Sequence, residues 1–327
     1  MKTGLARAAK LMRHYKHQGI EYFWDIEGIT EDADALQAVI DHLVEHCQNL
    51  KIDYVVGFDA RGFLFGGAVA HALGAGFKQI RKKGKLPGPV VEVSYQYEYS
   101  SGVLELQDNG TLAGKHILLI DDVFATGGTA KAGIELVEKV GGIVVEFVSV
   151  IEMPELGGRL KLCDIPVHSC ISIIENTPVA EVEYCVDLFV RDSKTGSLLL
   201  VERLTEPAGN AMPGGRIEPH ESAIMAAMRE LKEETGASRR SGAATKMLVA
   251  LNRDSQGPKV SVVCDCMADC SNLSSEPEHT RAFLVKDPED LPSIDTFAFD
   301  HGQFVFEYWP RIIAEEALIE PTLESVL

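Results

Sequence analysis

Residues 117–130 read ILLIDDVFATGGTA: an aliphatic run, two adjacent carboxylates, then a Thr-Gly-Gly-Thr turn entering a helical pattern. An apolar run without polar alternation predicts a strand buried on both faces. Gly127 and Gly128 let the backbone come close to a ligand, and the amides that open a helix favour an anion. Thr126 and Thr129 add hydroxyl donors. Asp121 and Asp122, at the strand's carboxyl end, can accept hydrogen bonds from vicinal sugar hydroxyls, and in an open α/β sheet ligands bind at that end. The stretch suits a ribose phosphate.

The surrounding pattern alternates helix and strand. DALQAVIDHLVEHC (34–47) spaces its apolar residues at three and four, which predicts a helix. IDYVVGF (52–58) is a short buried strand, and FLFGGAVAHALG (63–74) a small-residue helix ended by glycine. TAKAGIELVEKVGG (129–142) continues as a helix and IVVEFVSVIE (143–152) as a strand. Such alternation implies a parallel sheet covered on both faces. The pattern changes at ENTP, around Pro178. VEYCVDLFVRDSKTGSLLLVER (182–203) predicts two strands about a turn, KVSVVCDC (259–266) a further strand, and DHGQFVFEYWPRIIAEEAL (300–318) a helix. That is an α+β architecture, so the chain divides into domains over 1–177 and 178–327.

The second domain carries its own loaded stretch, GGRIEPHESAIMAAMRELKEETG (214–236), with Glu230, Glu233 and Glu234 on nearby faces of one predicted helix. Like charges at that spacing repel, and the repulsion is relieved if they bind a hard, oxygen-loving cation, magnesium or manganese. Arg229 can hold one carboxylate in place. Such cations polarise a diphosphate and help to make a nucleophile of water, with a glutamate as base.

A net charge of −18, on 31 Lys and Arg against 49 Asp and Glu, opposes binding to nucleic acid or an anionic membrane. No apolar run reaches the ~18 residues of a membrane helix. The seven cysteines form no Cys-x-x-Cys pair, which predicts reduced thiols in a cytoplasmic protein. The first twenty residues are basic, acid-free and without serine; they read as a leading helix.

Residues of roughly 15–175 resemble the type I phosphoribosyltransferases, on the strand, acid pair and loop at 117–130. Three further segments, ARGFLFG (60–66), RKKGKLPGP (81–89) and YEYSSGVLELQ (97–107), are similar to the adenine branch of that family. The resemblance implies a parallel-sheet, Rossmann-like domain that binds 5-phosphoribosyl-1-pyrophosphate (PRPP) and a purine base, adenine, with magnesium, as a homodimer. Asp121 and Asp122 would hold the ribose hydroxyls, and Ala125, Thr126, Gly127, Gly128 and Thr129 the 5′-phosphate. Arg61, Arg81, Lys82 and Lys85 would neutralise pyrophosphate, the last three across a dimer interface. Glu98 would manage the purine proton, with Tyr99 beside it. One departure stands out: Phe23-Trp24-Asp25 occupies the place of the family's Phe-Arg-Asp.

The spacing from Gly215 through Glu221, Arg229-Glu230-Leu231 and Glu233-Glu234 to Gly236 resembles the Nudix box, with Ala237 small where a larger aliphatic is usual. That resemblance implies a Nudix fold over 178–327 and hydrolysis of a nucleoside diphosphate linked to another moiety. NRDSQGPKVSVV (252–263) and FAFDH (297–301) are loosely similar to the ADP-ribose branch. A bifunctional enzyme is the leading expectation. The alternatives are a PRPP-sensing regulator, against which Glu98 and the acidic charge both count, and a chain in which only one domain is catalytic.

Overall fold

Ala35, Val39, Leu43 and Cys47 fall four apart along one helix, and all four are fully buried. The computed structural model that shows this describes residues 2–17, 20–96, 101–180, 182–239, 246–254, 257–274, 279–299 and 301–319. The chain forms two units, the first of Met1–Glu183 with Glu218–Ala223, the second of Tyr184–Ile217 with Ile224–Leu327.

The first unit runs α1 (Lys2–Leu11), β1 (Arg13–His17), β2 (Ile20–Asp25), α2 (Glu27–Glu31), α3 (Ala33–Cys47), β3 (Tyr54–Phe58), α4 (Gly62–Leu73) and β4 (Gly76–Lys82). It continues through β5 (Val90–Gln96), β6 (Ser101–Gln107), β7 (His116–Phe124), α5 (Gly128–Lys139), β8 (Ile143–Glu152), β9 (Val167–Ile174) and β10 (Thr177–Ala180). Local chemistry sets the helix ends. Asp32 caps α3 by accepting the Ala35 N–H at 2.9 Å, and Gly74 ends α4 in the left-handed region at φ 68°.

Eight strands pair in the order β10-β9-β8-β7-β3-β4-β6-β5. The centre, β9-β8-β7-β3-β4, is parallel as expected. Both edges are antiparallel: β10 folds back on β9, and β5 with β6 forms a hairpin against β4. Side chains of β7 alternate between two cores. Leu118 and Ile120 pack in the cluster containing Leu5, Val39 and Phe65, whereas Ile117 and Leu119 join Ile134, Leu136 and Val137 of α5. Helices on both faces therefore bury the central strand, leaving its carboxyl end as the place where polar groups gather.

The second unit holds β11 (Glu183–Asp192), β12 (Leu198–Arg203), β13 (Gly209–Ala211), β14 (Gly214–Arg216), α6 (Ala223–Thr235), β15 (Ser238–Arg239), β16 (Lys246–Asp254), β17 (Gly257–Asp269), β18 (Thr280–Val285) and α7 (His301–Ile319). Its eight strands form one sheet, built on β13-β12-β11-β17-β15, with β14 on β11, β16 on β17 and β18 on β12. Val305 and Trp309 of α7 are buried with Phe189, Leu200 and Val263. No helix among the described residues is long and apolar enough to cross a membrane.

Candidate active sites

In the first unit the end of β7 delivers Asp121 and Asp122, and the turn after it delivers Ala125 to Gly128 at the start of α5. The turn needs its glycine. Gly127 has φ +74°, and a Cβ there would lie 2.7 Å from the Gly158 carbonyl oxygen. Gly158 in turn lies so close that its own Cβ would meet the Ala125 oxygen at 2.3 Å. The Ala125–Gly128 backbone is thus braced from behind, with Thr126 and Thr129 flanking the amides that open α5. Such amides favour an anion.

The β3–α4 connection comes up against this acid pair. Gly62 has no room for a side chain, since a Cβ would sit 3.0 Å from Asp121 Oδ1. The close approach places Arg61 Nη2 2.8 Å from Asp122 Oδ2, an ion pair out of line for a hydrogen bond. Arg61 also lies over the Phe23 ring, 5.2 Å from its centroid. Burial, and next the Asp122 carboxylate, raise Asp121 well above the ordinary carboxylate range. The Arg61 charge opposes part of that rise.

Two of the other expected cations converge on one partner. Arg81 Nε lies 3.3 Å and Lys85 Nζ 3.6 Å from Asp59 Oδ2, two residues before Arg61. Lys82 is exposed at the end of β4. The sequence reading missed both organising acids, Asp59 and Glu105. Glu105 is 2% exposed and accepts the N–H groups of Gly84, Lys85 and Leu86, so one carboxylate shapes the basic loop. Burial opposes its ionisation, but the three amides outweigh burial and hold it below the usual range. Its alternation on β6 marks Glu105 only once the pairing with β4 is known. Trp24 is buried in the core beside His14, with Phe23 turned toward Arg61; a tryptophan thus fills the arginine position as a packing residue. Glu98 and Tyr99 lie outside the described residues.

In the second unit α6 carries all three expected glutamates. Arg229 Nη1 donates to Glu230 Oε1 at 2.6 Å and to Glu233 Oε2 at 3.3 Å, and Nη2 donates to the Arg216 carbonyl at 2.9 Å. The Gly214 N–H donates to Glu234 Oε2 at 3.0 Å. Glu230 passes directly over Gly215, where a Cβ would lie 2.2 Å from its Oε1. The Gly-Gly strand β14 is therefore a floor for the acidic helix. Lys232 spends its charge elsewhere, donating to the Gly236 carbonyl at 3.1 Å. Three carboxylates gathered beside the Arg229 guanidinium, all oxygen donors, fit a hard divalent cation.

A neighbouring pair was not anticipated. The Met212 N–H donates to His301 Nδ1 at 3.2 Å, so Nε2 carries the proton and faces Asp187 Oδ1 at 3.3 Å. Burial pushes Asp187 up, but His301, Ser261 and Lys259 together outweigh it and leave the carboxyl below its ordinary value. Asp187 pairs in register with Gly214, so this buried charge underlies the glycine floor.

Residues 26–187 match the phosphoribosyl transferase domain family and residues 183–306 the NUDIX domain family. The chain is 49% identical over 148 residues to an adenine phosphoribosyltransferase of Cereibacter sphaeroides, covering 45% of this chain and 83% of that one. It is 44% identical over 160 residues to that of Dinoroseobacter shibae, covering 48% and 89%. The crystal structure of adenine phosphoribosyltransferase from Thermoanaerobacter pseudethanolicus superposes with a TM-score of 0.50 at 35% identity, over 51% of this chain and 99% of that one.

Proposed function

The chain belongs to the phosphoribosyltransferase family and carries a Nudix hydrolase domain behind it; from that premise we propose that it is a bifunctional nucleotide enzyme. The first unit transfers the phosphoribosyl group of PRPP to adenine, giving AMP and pyrophosphate. The relatives' shared name supports the base, and the arrangement of Arg61 against Asp122 beside the α5 turn supports the sugar phosphate.

In this reading Asp121 and Asp122 accept hydrogen bonds from the ribose hydroxyls, while the amides of Ala125 to Thr129 hold the 5′-phosphate. Arg61, Arg81, Lys82 and Lys85 offset charge on the departing pyrophosphate. As the purine nitrogen bonds to the anomeric carbon and the pyrophosphate oxygen leaves, Glu98 takes the ring proton, with Tyr99 beside it. Magnesium bound with PRPP would supply further positive charge to the departing pyrophosphate.

The second unit hydrolyses a nucleoside diphosphate-linked compound, and ADP-ribose is the proposed substrate. Glu230, Glu233 and Glu234 would hold magnesium or manganese, whose charge would polarise the diphosphate. Arg229 and Gly214 orient the carboxylates. Water cleavage of ADP-ribose yields AMP and ribose 5-phosphate, so both units release AMP. The reading includes a cytoplasmic homodimer; that none of the seven cysteines forms a disulfide among the described residues supports a reducing compartment. The test is incubation of the full chain with adenine, PRPP and magnesium, then separately with ADP-ribose. AMP should appear in both, and its absence in either removes that half of the proposal.

A further inference from the structure

Four of the chain's ten histidines gather around one buried carboxylate that neither proposed reaction uses. Glu146, on β8, is 1% exposed. Its Oε1 lies 2.7 Å from His46 Nε2, in the last turn of α3, and its Oε2 lies 2.9 Å from His220 Nδ1, in the Glu218–Ala223 segment of the same unit. Among the described residues no ammonium or guanidinium lies at ion-pair distance from Glu146; Arg159 is committed to Glu152 at 2.7 and 2.8 Å.

We propose that His46, Glu146 and His220 form a binding site for a divalent transition-metal ion, zinc first among them. One donor atom from each residue lies within 4.8 Å of the others. Two imidazole nitrogens and a carboxylate are the three-ligand set of an open zinc site, which leaves a position for water or a small anion. Imidazole nitrogen selects zinc, cobalt, nickel or copper over magnesium, so the site differs in chemistry from the oxygen-lined glutamates of α6.

The surroundings are those of a supported site. The His168 ring stacks on His46 with centroids 3.7 Å apart and planes 10° from parallel, and His168 Nε2 meets His42 Nε2 at 3.0 Å. His168, itself held by His42, packs on the His46 ring and restrains its plane, as outer partners do for metal ligands. His220 sits at φ 65°, in the left-handed region that histidine enters more readily than most side chains, with its Nδ1 against Glu146. A buried carboxylate is costly without a compensating positive charge, and a divalent ion would supply it.

The test uses the full chain, stripped with a chelator and titrated with zinc in excess magnesium, so that oxygen-lined sites are already filled. Wild type should take up one zinc equivalent, and cobalt in its place should give visible absorption bands. His220→Ala, at a partly exposed ring, should weaken zinc at least about tenfold, since even lost outer partners cost that much. It should also remove the cobalt bands while leaving the circular dichroism spectrum intact. Glu146→Gln should do the same; if that variant fails to fold, His220→Ala decides alone. No zinc uptake by wild type in excess magnesium, or unchanged affinity in His220→Ala, overturns the proposal.

Discussion

Arg61 Nη2 stands 2.8 Å from Asp122 Oδ2, joining the loop after β3 to the end of β7. The pair links the residue proposed for pyrophosphate with the residue proposed for the ribose. Asp122→Asn keeps the shape but removes the charge that faces both Arg61 and the sugar. Hydrogen bonds to charged groups contribute about 1.5–3 kcal/mol, so kcat/KM for PRPP should fall by roughly tenfold to a hundredfold. Steady-state kinetics at saturating adenine measure it, and an unchanged kcat/KM would remove Asp122 from the site.

Asp121 gives a pH dependence. Its carboxyl is raised, first by burial and then by Asp122, so the empty site holds its proton above the pH at which an ordinary aspartate ionises. An acid raised in the folded state lowers stability as pH rises through the gap between the unfolded and folded values. A ligand that requires the carboxylate must expel the proton, so PRPP should bind more tightly as pH rises through that same window. Asp121→Asn should flatten the part of the KM–pH profile that PRPP's own phosphates do not explain. A variant profile that matches wild type contradicts the assignment.

Glu105 predicts a different sign. Its carboxyl is lowered because three amide donors outweigh burial, so its stabilising contribution is present above the ordinary glutamate pKa and is lost as pH falls through the depressed value. Glu105→Gln should cost about 1–3 kcal/mol of stability near neutrality, because a single amide oxygen must serve three donors. Urea unfolding of both proteins across acid and neutral pH measures the gap, which should narrow in acid. The same change should raise KM for PRPP by loosening the Lys85 loop.

Gly215 tests the second site without touching a charge. A Cβ there would fall 2.2 Å from Glu230 Oε1, so Gly215→Ala must displace the carboxylate. A shift of about 1 Å at a catalytic group can cost a hundredfold, and diphosphate hydrolysis should fall on that scale while phosphoribosyl transfer is unchanged. Hydrolysis at the wild-type rate would show that Glu230 is not needed in its present place.

Much of this arrangement is legible in the chain itself. The alternation of buried strands with helices fixed the parallel centre of the first sheet, and the run ILLIDDVFATGGTA placed the acid pair and turn where the structure has them. The three glutamates of α6 likewise followed from helical spacing. The antiparallel pairing of β6 with β5 and β4 was not legible, because a strand's alternation does not say which neighbour it joins or in which direction. Asp59, Glu105 and the Asp187–His301 pair escaped for a common reason. Each acts on residues distant in the chain, and pairing register, which brings them together, leaves no local pattern. The histidine cluster escaped in the same way, since His46, Glu146, His168 and His220 belong to four separate segments.

The central claim is that two separate phosphate chemistries sit on one chain, and the Glu233→Gln protein tests it most directly. Chromatographic measurement of AMP from adenine, PRPP and magnesium should give the wild-type rate with that variant, while its release of AMP from ADP-ribose falls to background. Failure of the variant and wild type alike to form a nucleotide from any purine base would contradict the account.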